Sequence, residues 1–133
     1  MKKYTQEEFN NFERDEYGRK ICPTGDYTDI KDFDDYCIFG SRCRFGEGCH
    51  FGEYCHFDAR CDFGEGCHFG VFCSFGEWCS FGDYCSFGDD CCFCNYCSFG
   101  ACCTFGAGYC YGKHCYFGAG CLFEDINSCT FRE

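Results

Sequence analysis

Twelve cysteines stand six residues apart without a break, at 37, 43, 49, 55, 61, 67, 73, 79, 85, 91, 97 and 103. The frame continues through Tyr109, Cys115 and Cys121. Two residues after each position comes a phenylalanine, Phe39 to Phe123, with Tyr111 the exception. Glycine usually follows, replaced by Asp58, Cys94 and Glu124. The unit is Cys-x-Phe-Gly-x-x. So strict a period marks one small structural unit stacked many times, because a single unit cannot bury its apolar side alone.

Six matches neither the 3.6 residues of a helical turn nor the simple alternation of a strand, yet Cys and Phe at i and i+2 share one face of an extended segment. A coil of such segments, turning after each Phe, is a parallel β-solenoid. The apolar register reaches back through Phe33 and Tyr27 to Ile21, so one unit per six residues gives 18 units from 21 to 123 with no insertion. The residues just before each Cys set the number of units per coil. At an interval of 18 they read Tyr36, Tyr54, Phe72 in one column, Arg42, Arg60, Trp78, Tyr96 in a second, and Gly48, Gly66, Tyr84 in a third. His50 and His68 keep the same interval, as do Arg44 and Asp62. The reading is an all-β, three-sided prism of about six coils, rising about 29 Å at the usual strand spacing. Glycine after each Phe is expected to supply the backbone freedom of the corner, with Asp34 and Asp58 the next most tolerant choice.

The order small-x-apolar-Gly-x-x resembles the hexapeptide-repeat family of left-handed parallel β-helices over about residues 19–126, with Cys in the small position and Phe in the aliphatic one. Left-handedness is what that resemblance implies; the general rule for crossovers favours the other hand. The Cys-x-Phe-Gly variant also looks like small proteins carried by bacteria and their phages. Three segments follow: a cap over 1–18, the solenoid over 19–126, and a terminal strand over 127–133. In the cap, Tyr4, Phe9 and Phe12 among Glu and Asn suit a short amphipathic helix closing the first coil. At the other end Cys121 and Cys129 are eight apart, so the frame breaks, and an open final coil is expected to be covered by a second copy, as an end-to-end homodimer, or by a partner.

Twenty-two acids against 11 bases leave a net charge of -11, which excludes binding to nucleic acid by phosphate neutralisation. No apolar run approaches the roughly 20 residues of a membrane span. The opening Met-Lys-Lys-Tyr-Thr-Gln-Glu-Glu has no apolar stretch of a signal peptide, so a cytoplasmic, reducing setting is expected. There the in-frame thiols act as small hydrophobes. Cys92, Cys94, Cys102 and Cys110 lie off the frame; Cys92 and Cys110, 18 apart, are placed to meet on the outer surface. No paired metal-ligand spacing is present, and neither metal nor cofactor is expected.

His50, His56, His68 and His114 should point outward. The hexapeptide-repeat resemblance implies an alternative, a trimeric acyltransferase with His50, His56 or His68 in an intersubunit groove, but the chain has no insertion loop to shape a substrate site. A purely structural rod is the other alternative. The leading expectation is a non-catalytic binding protein with no catalytic residue. Glu47, Glu65 and Asp83 form an acidic column, and with Tyr54, Phe72, Trp78 and Tyr84 they are read as one acidic, aromatic face. Exposed Tyr and Trp mark protein interfaces. That face would mimic DNA and occupy the basic surface of a host nucleic-acid-binding or defence protein, as a phage-encoded inhibitor does.

Overall fold

A computed structural model describes residues 1–124 together with the strand Thr130–Phe131. Most of the 127–133 segment, expected to make the dimer contact, lies outside the described residues. The chain is nearly all strand, wound as three parallel sheets. The first sheet holds Lys20–Cys22, Cys37–Phe39, His56–Phe57, Ser74–Phe75, Cys92–Phe93, Cys110–Tyr111 and Thr130–Phe131. The second runs through Asp26–Tyr27, Arg44–Phe45, Asp62–Phe63, Ser80–Phe81, Ser98–Phe99 and Tyr116–Phe117. The third runs through Asp32–Phe33, His50–Phe51, His68–Phe69, Ser86–Phe87, Thr104–Phe105 and Leu122–Phe123. Successive strands visit the three sheets in turn, so the solenoid has three walls and about six coils, as the repeat implies. Cys92 and Cys110, in register on neighbouring coils, have Cα atoms 4.8 Å apart, which is the rise per coil.

The Phe rings fill the interior. Within a wall they stack nearly parallel, as in Phe57–Phe75 at 4.9 Å and 2° and Phe63–Phe81 at 4.8 Å and 5°. Between walls they meet edge to face, as in Phe63–Phe69 at 5.2 Å and 81°. Both arrangements set the positive ring edge or an offset face against a negative face. The thiols beside them have a task that a small hydrophobe lacks. The carbonyl oxygens of Gly40, Gly46, Gly52 and Gly70 receive no backbone N–H from any described residue. Instead Cys61, Cys67, Cys73 and Cys91 donate to the carbonyls of Gly40, Gly46, Gly52 and Gly70 at 3.3–3.4 Å, always 21 residues earlier. A buried carbonyl left unpaired is costly, so cysteine satisfies the coil as well as filling it.

Two expectations are corrected. The corner's left-handed backbone is at the sixth position of the unit, not at the glycine: Tyr36, Arg42, Tyr54, Arg60, Phe72, Trp78, Tyr84, Asp90, Tyr96, Cys102 and His114 all have φ near +60°. The fourth-position glycines serve a different need, close approach of coils. A Cβ on Gly82 would lie 2.7 Å from the Glu65 nitrogen, and one on Gly118 only 2.6 Å from the Gly100 carbonyl carbon. Secondly, Ile21 does not hold the register. Cys22 pairs with Phe39, a step of 17, so Cys22 turns inward while Ile21 is 50 % exposed. The last step, from Tyr111 to Phe131, is 20.

The cap helix covers only Gln6–Asn10. Thr5 and Glu8 close its start by a reciprocal pair of hydrogen bonds at 3.1 and 2.9 Å. Its Phe9 is fully buried against Phe33. Lys20 occupies the place that Cys37 takes one coil later. Its buried ammonium donates to Asp34 at 2.8 Å and to the Phe9 carbonyl at 3.2 Å, and lies over the Phe9 ring. The opposite end is less enclosed: Tyr111, Cys115, Phe117, Cys121 and Phe123 are only half-buried.

Candidate functional site

The fifth and sixth residues of each unit form the prism's three edges, and they differ sharply. Between the third and first sheets run Asp35-Tyr36, Glu53-Tyr54, Val71-Phe72 and Asp89-Asp90, with four acids and no base. Between the first and second run Arg42, Arg60, Glu77-Trp78, Asn95-Tyr96 and Lys113-His114. Between the second and third run Glu47-Gly48, Glu65-Gly66, Asp83-Tyr84 and Ala101-Cys102. These are the acidic aromatic edge, the cationic aromatic edge and the glycine edge.

On the first two edges the side chains stack like rungs. Tyr36–Tyr54 and Tyr54–Phe72 are parallel at 5.1 and 5.0 Å. Trp78–Tyr96 and Tyr96–His114 follow at 4.4 and 5.1 Å, with the Arg60 guanidinium 5.6 Å from the Trp78 ring. Stacking leaves these aromatic rungs 41–49 % exposed, against 66 % for Tyr84, which stands alone on its edge. A non-glycine residue in the left-handed region costs about 1 kcal/mol. The same coil uses Gly48, Gly66, Gly108 and Gly120 there at no such cost. Rung stacking returns about 0.5–1.5 kcal/mol per pair, so the aromatics roughly break even.

The seven residues expected to form one face are therefore divided among three edges. Glu47, Glu65, Asp83 and Tyr84 do share the glycine edge. Tyr54 and Phe72 belong to the acidic aromatic edge, and Trp78 to the cationic one. The intervals of 18 sort residues into columns correctly, but three units per coil set those columns at separate corners and not on one surface. Asp83 also has internal work. Its Oδ1 accepts the Ala101 N–H at 2.8 Å, and Asp35, Asp89 and Asn95 do the same for Glu53, Ala107 and Lys113 at 2.7–2.9 Å. A short carboxylate or amide at the fifth position thus clamps the next coil. Glu47 and Glu65 are exposed and make no such bond. Glu53 is legible in the sequence as the acidic neighbour of Tyr54; Asp35, Asp89 and Asp90 join the same edge only through the interval of 18, flanking or continuing the Tyr36–Tyr54–Phe72 column.

No protein-family model, curated protein or solved structure matches this chain. The resemblance to hexapeptide-repeat proteins rests on the six-residue unit.

The histidines lie on the flat walls, except His114 at its edge. His50 and His68 stack at 4.9 Å on the third sheet, and His56 is on the first. His56 Nδ1 meets the Ser74 hydroxyl and His68 Nδ1 the Ser86 hydroxyl. These are ladder contacts between neighbouring strands on open walls. A cavity of about 470 Å³ between Phe87, Thr104 and Leu122, and one of about 500 Å³ between Phe12, Arg14 and Ile21, contain none of them. Cys92 and Cys110 are disulfide-bonded on the first sheet. Among the described residues no group of three metal-ligating side chains converges, and no helix is long and apolar enough to cross a membrane.

Proposed function

We propose that this chain is a non-catalytic binding protein that docks on the basic surface of a nucleic-acid-binding protein, in place of DNA, and so inhibits it. The observation that carries the reading is the acidic aromatic edge, where four carboxylates and no base flank the exposed stack Tyr36–Tyr54–Phe72. Charge density supports it. Residues 19–133 hold 17 acids and 8 bases, a net charge of -9. Over a rod of about 29 Å that is one net charge per roughly 3 Å, within a factor of about two of duplex DNA. Aromatic rungs among the carboxylates add apolar anchors that DNA itself lacks, which favours a protein partner over a counter-ion atmosphere.

The second half of the proposal is a homodimer through the C-terminal end. It is supported by half-buried Tyr111, Phe117 and Phe123, and by Tyr116–Phe117 and Leu122–Phe123, each the last strand of its sheet among the described residues. Light scattering should return twice the chain mass of 15.3 kDa.

The docking reading is tested by displacement. Titrated into a panel of nucleases and DNA-binding proteins holding labelled duplex, the chain should release DNA from at least one, less effectively as salt rises. Release from none, or release indifferent both to salt and to Glu53→Lys with Asp90→Lys, removes the reading.

A further inference from the structure

We propose that the acidic aromatic edge carries a binding site for an arginine guanidinium, seated on the Phe72 ring beside Asp90. The proposal builds on the reading of this edge as a docking surface for a basic protein and names the side chain that it selects.

Phe72 is the last ring of its ladder. Tyr54 covers one face at 5.0 Å, and the next residue of the column, Asp90, is too short to cover the other. No described ring or cation lies on that second face, and Phe72 is 46 % exposed. The Asp90 carboxylate makes no hydrogen bond or ion pair with any described residue and leans against Gly108, whose missing side chain leaves it room. Asp89 beside it keeps one carboxylate oxygen free after Oδ1 accepts the Ala107 N–H. The vacant rung thus has an open ring face below it, and the Asp89 and Asp90 carboxylates on its far side, turned towards the next coil at Ala107 and Gly108.

The neighbouring edge displays what fits such a place. There the Arg60 guanidinium is the rung beneath Trp78, 5.6 Å from its ring. A guanidinium is planar and weakly hydrated, so it replaces a ring in a stack while its N–H groups reach a carboxylate in the ring plane. A lysine ammonium is compact and strongly hydrated and cannot continue the ladder. Arginine over lysine is therefore the selectivity that this geometry produces. A surface that recognised only positive charge would not distinguish them.

The test is an NMR titration of the whole chain with Nα-acetyl-arginine methylamide and with its lysine counterpart at equal ionic strength. The arginine compound should shift the Phe72 ring and Asp90 signals, with its own guanidinium protons moved upfield by the ring, and should bind about threefold more tightly than the lysine compound. Phe72→Gly should abolish the response. It keeps the fold because the coil already holds glycine at the equivalent sites 48 and 66, and circular dichroism checks this. Ser98→Ala, exposed on the wall of the second sheet and away from the proposed dimer end, should leave binding unchanged. Equal affinity for the two compounds, or undiminished arginine binding by Phe72→Gly, overturns the site. Displacement of DNA that survives intact in Phe72→Gly also sinks it, while leaving the docking reading standing. Arginine-selective binding at Phe72 by a chain that displaces no duplex upholds the site and removes the docking reading.

Discussion

Inside and outside, this coil obeys different periods. Within, three walls are alike: Phe63, Phe69 and Phe75 come from three different sheets, yet each meets the next edge to face at 5.2 and 5.1 Å and stacks on its own ladder. The period there is six. Along the edges it is 18, and one corner carries Tyr and Phe among acids, the next Arg, Trp and Tyr, the third Gly and Glu. An interior ring touches rungs above and below and the flanking rings of both other walls, so packing dictates its identity. An edge residue touches at most its two rungs and solvent, and its identity is left to whatever the edge meets.

The contrast can be broken most forcefully at the core. Phe75→Ala removes a buried ring stacked on both Phe57 and Phe93 at 4.9 Å and should cost about 3–5 kcal/mol in denaturant unfolding. A loss below about 1 kcal/mol would mean that the walls are loosely packed. Next comes the thiol ladder. Cys91 is buried and donates to the Gly70 carbonyl at 3.4 Å. Cys91→Ala leaves that oxygen unpaired and should cost about 1–3 kcal/mol, whereas Cys91→Ser keeps a donor and should lose less. If cysteine were present only as a small hydrophobe, the order would reverse.

Smaller again is the fifth-position clamp. Asp89→Ala orphans the Ala107 N–H, at a cost of about 1 kcal/mol, while Glu65→Ala on the glycine edge should stay within about 0.5 kcal/mol. Equal effects would erase the distinction between clamping Asp and displayed Glu. The smallest change is expected at the sixth position. Phe72→Gly and Tyr84→Gly relieve a left-handed non-glycine backbone, so thermal unfolding should move by no more than a few degrees in either direction. A large destabilisation would make the rungs structural members of the coil and not displayed groups.

The cap shows how far local pattern reaches. Tyr4, Phe9 and Phe12 marked a short amphipathic helix as the lid, and Gln6–Asn10 is that helix, with Phe9 buried. The chain then turns back to bridge Arg14 to Lys20, an antiparallel contact with no local signature. Ile21 was misplaced for a related reason. Spacing of six favoured it over Cys22, but the first coil is bounded by the cap and Lys20, not by another repeat, and it closes one residue short. Ends depart from a period because they lack the neighbour that enforces it.

From the residues alone came the three-walled coil, the inward Cys–Phe pairs, and the outward columns at intervals of 18. A period of six leaves an extended chain only one way to bury every Phe, so these need no knowledge of contacts between distant residues. The role of glycine, the hydrogen-bonding role of the thiols and the separation of acidic, cationic and glycine edges were decided only when the coils closed. Each depends on what lies one coil below or a third of a turn around, and those distances arise from the winding of the backbone, not from the order of side chains along it.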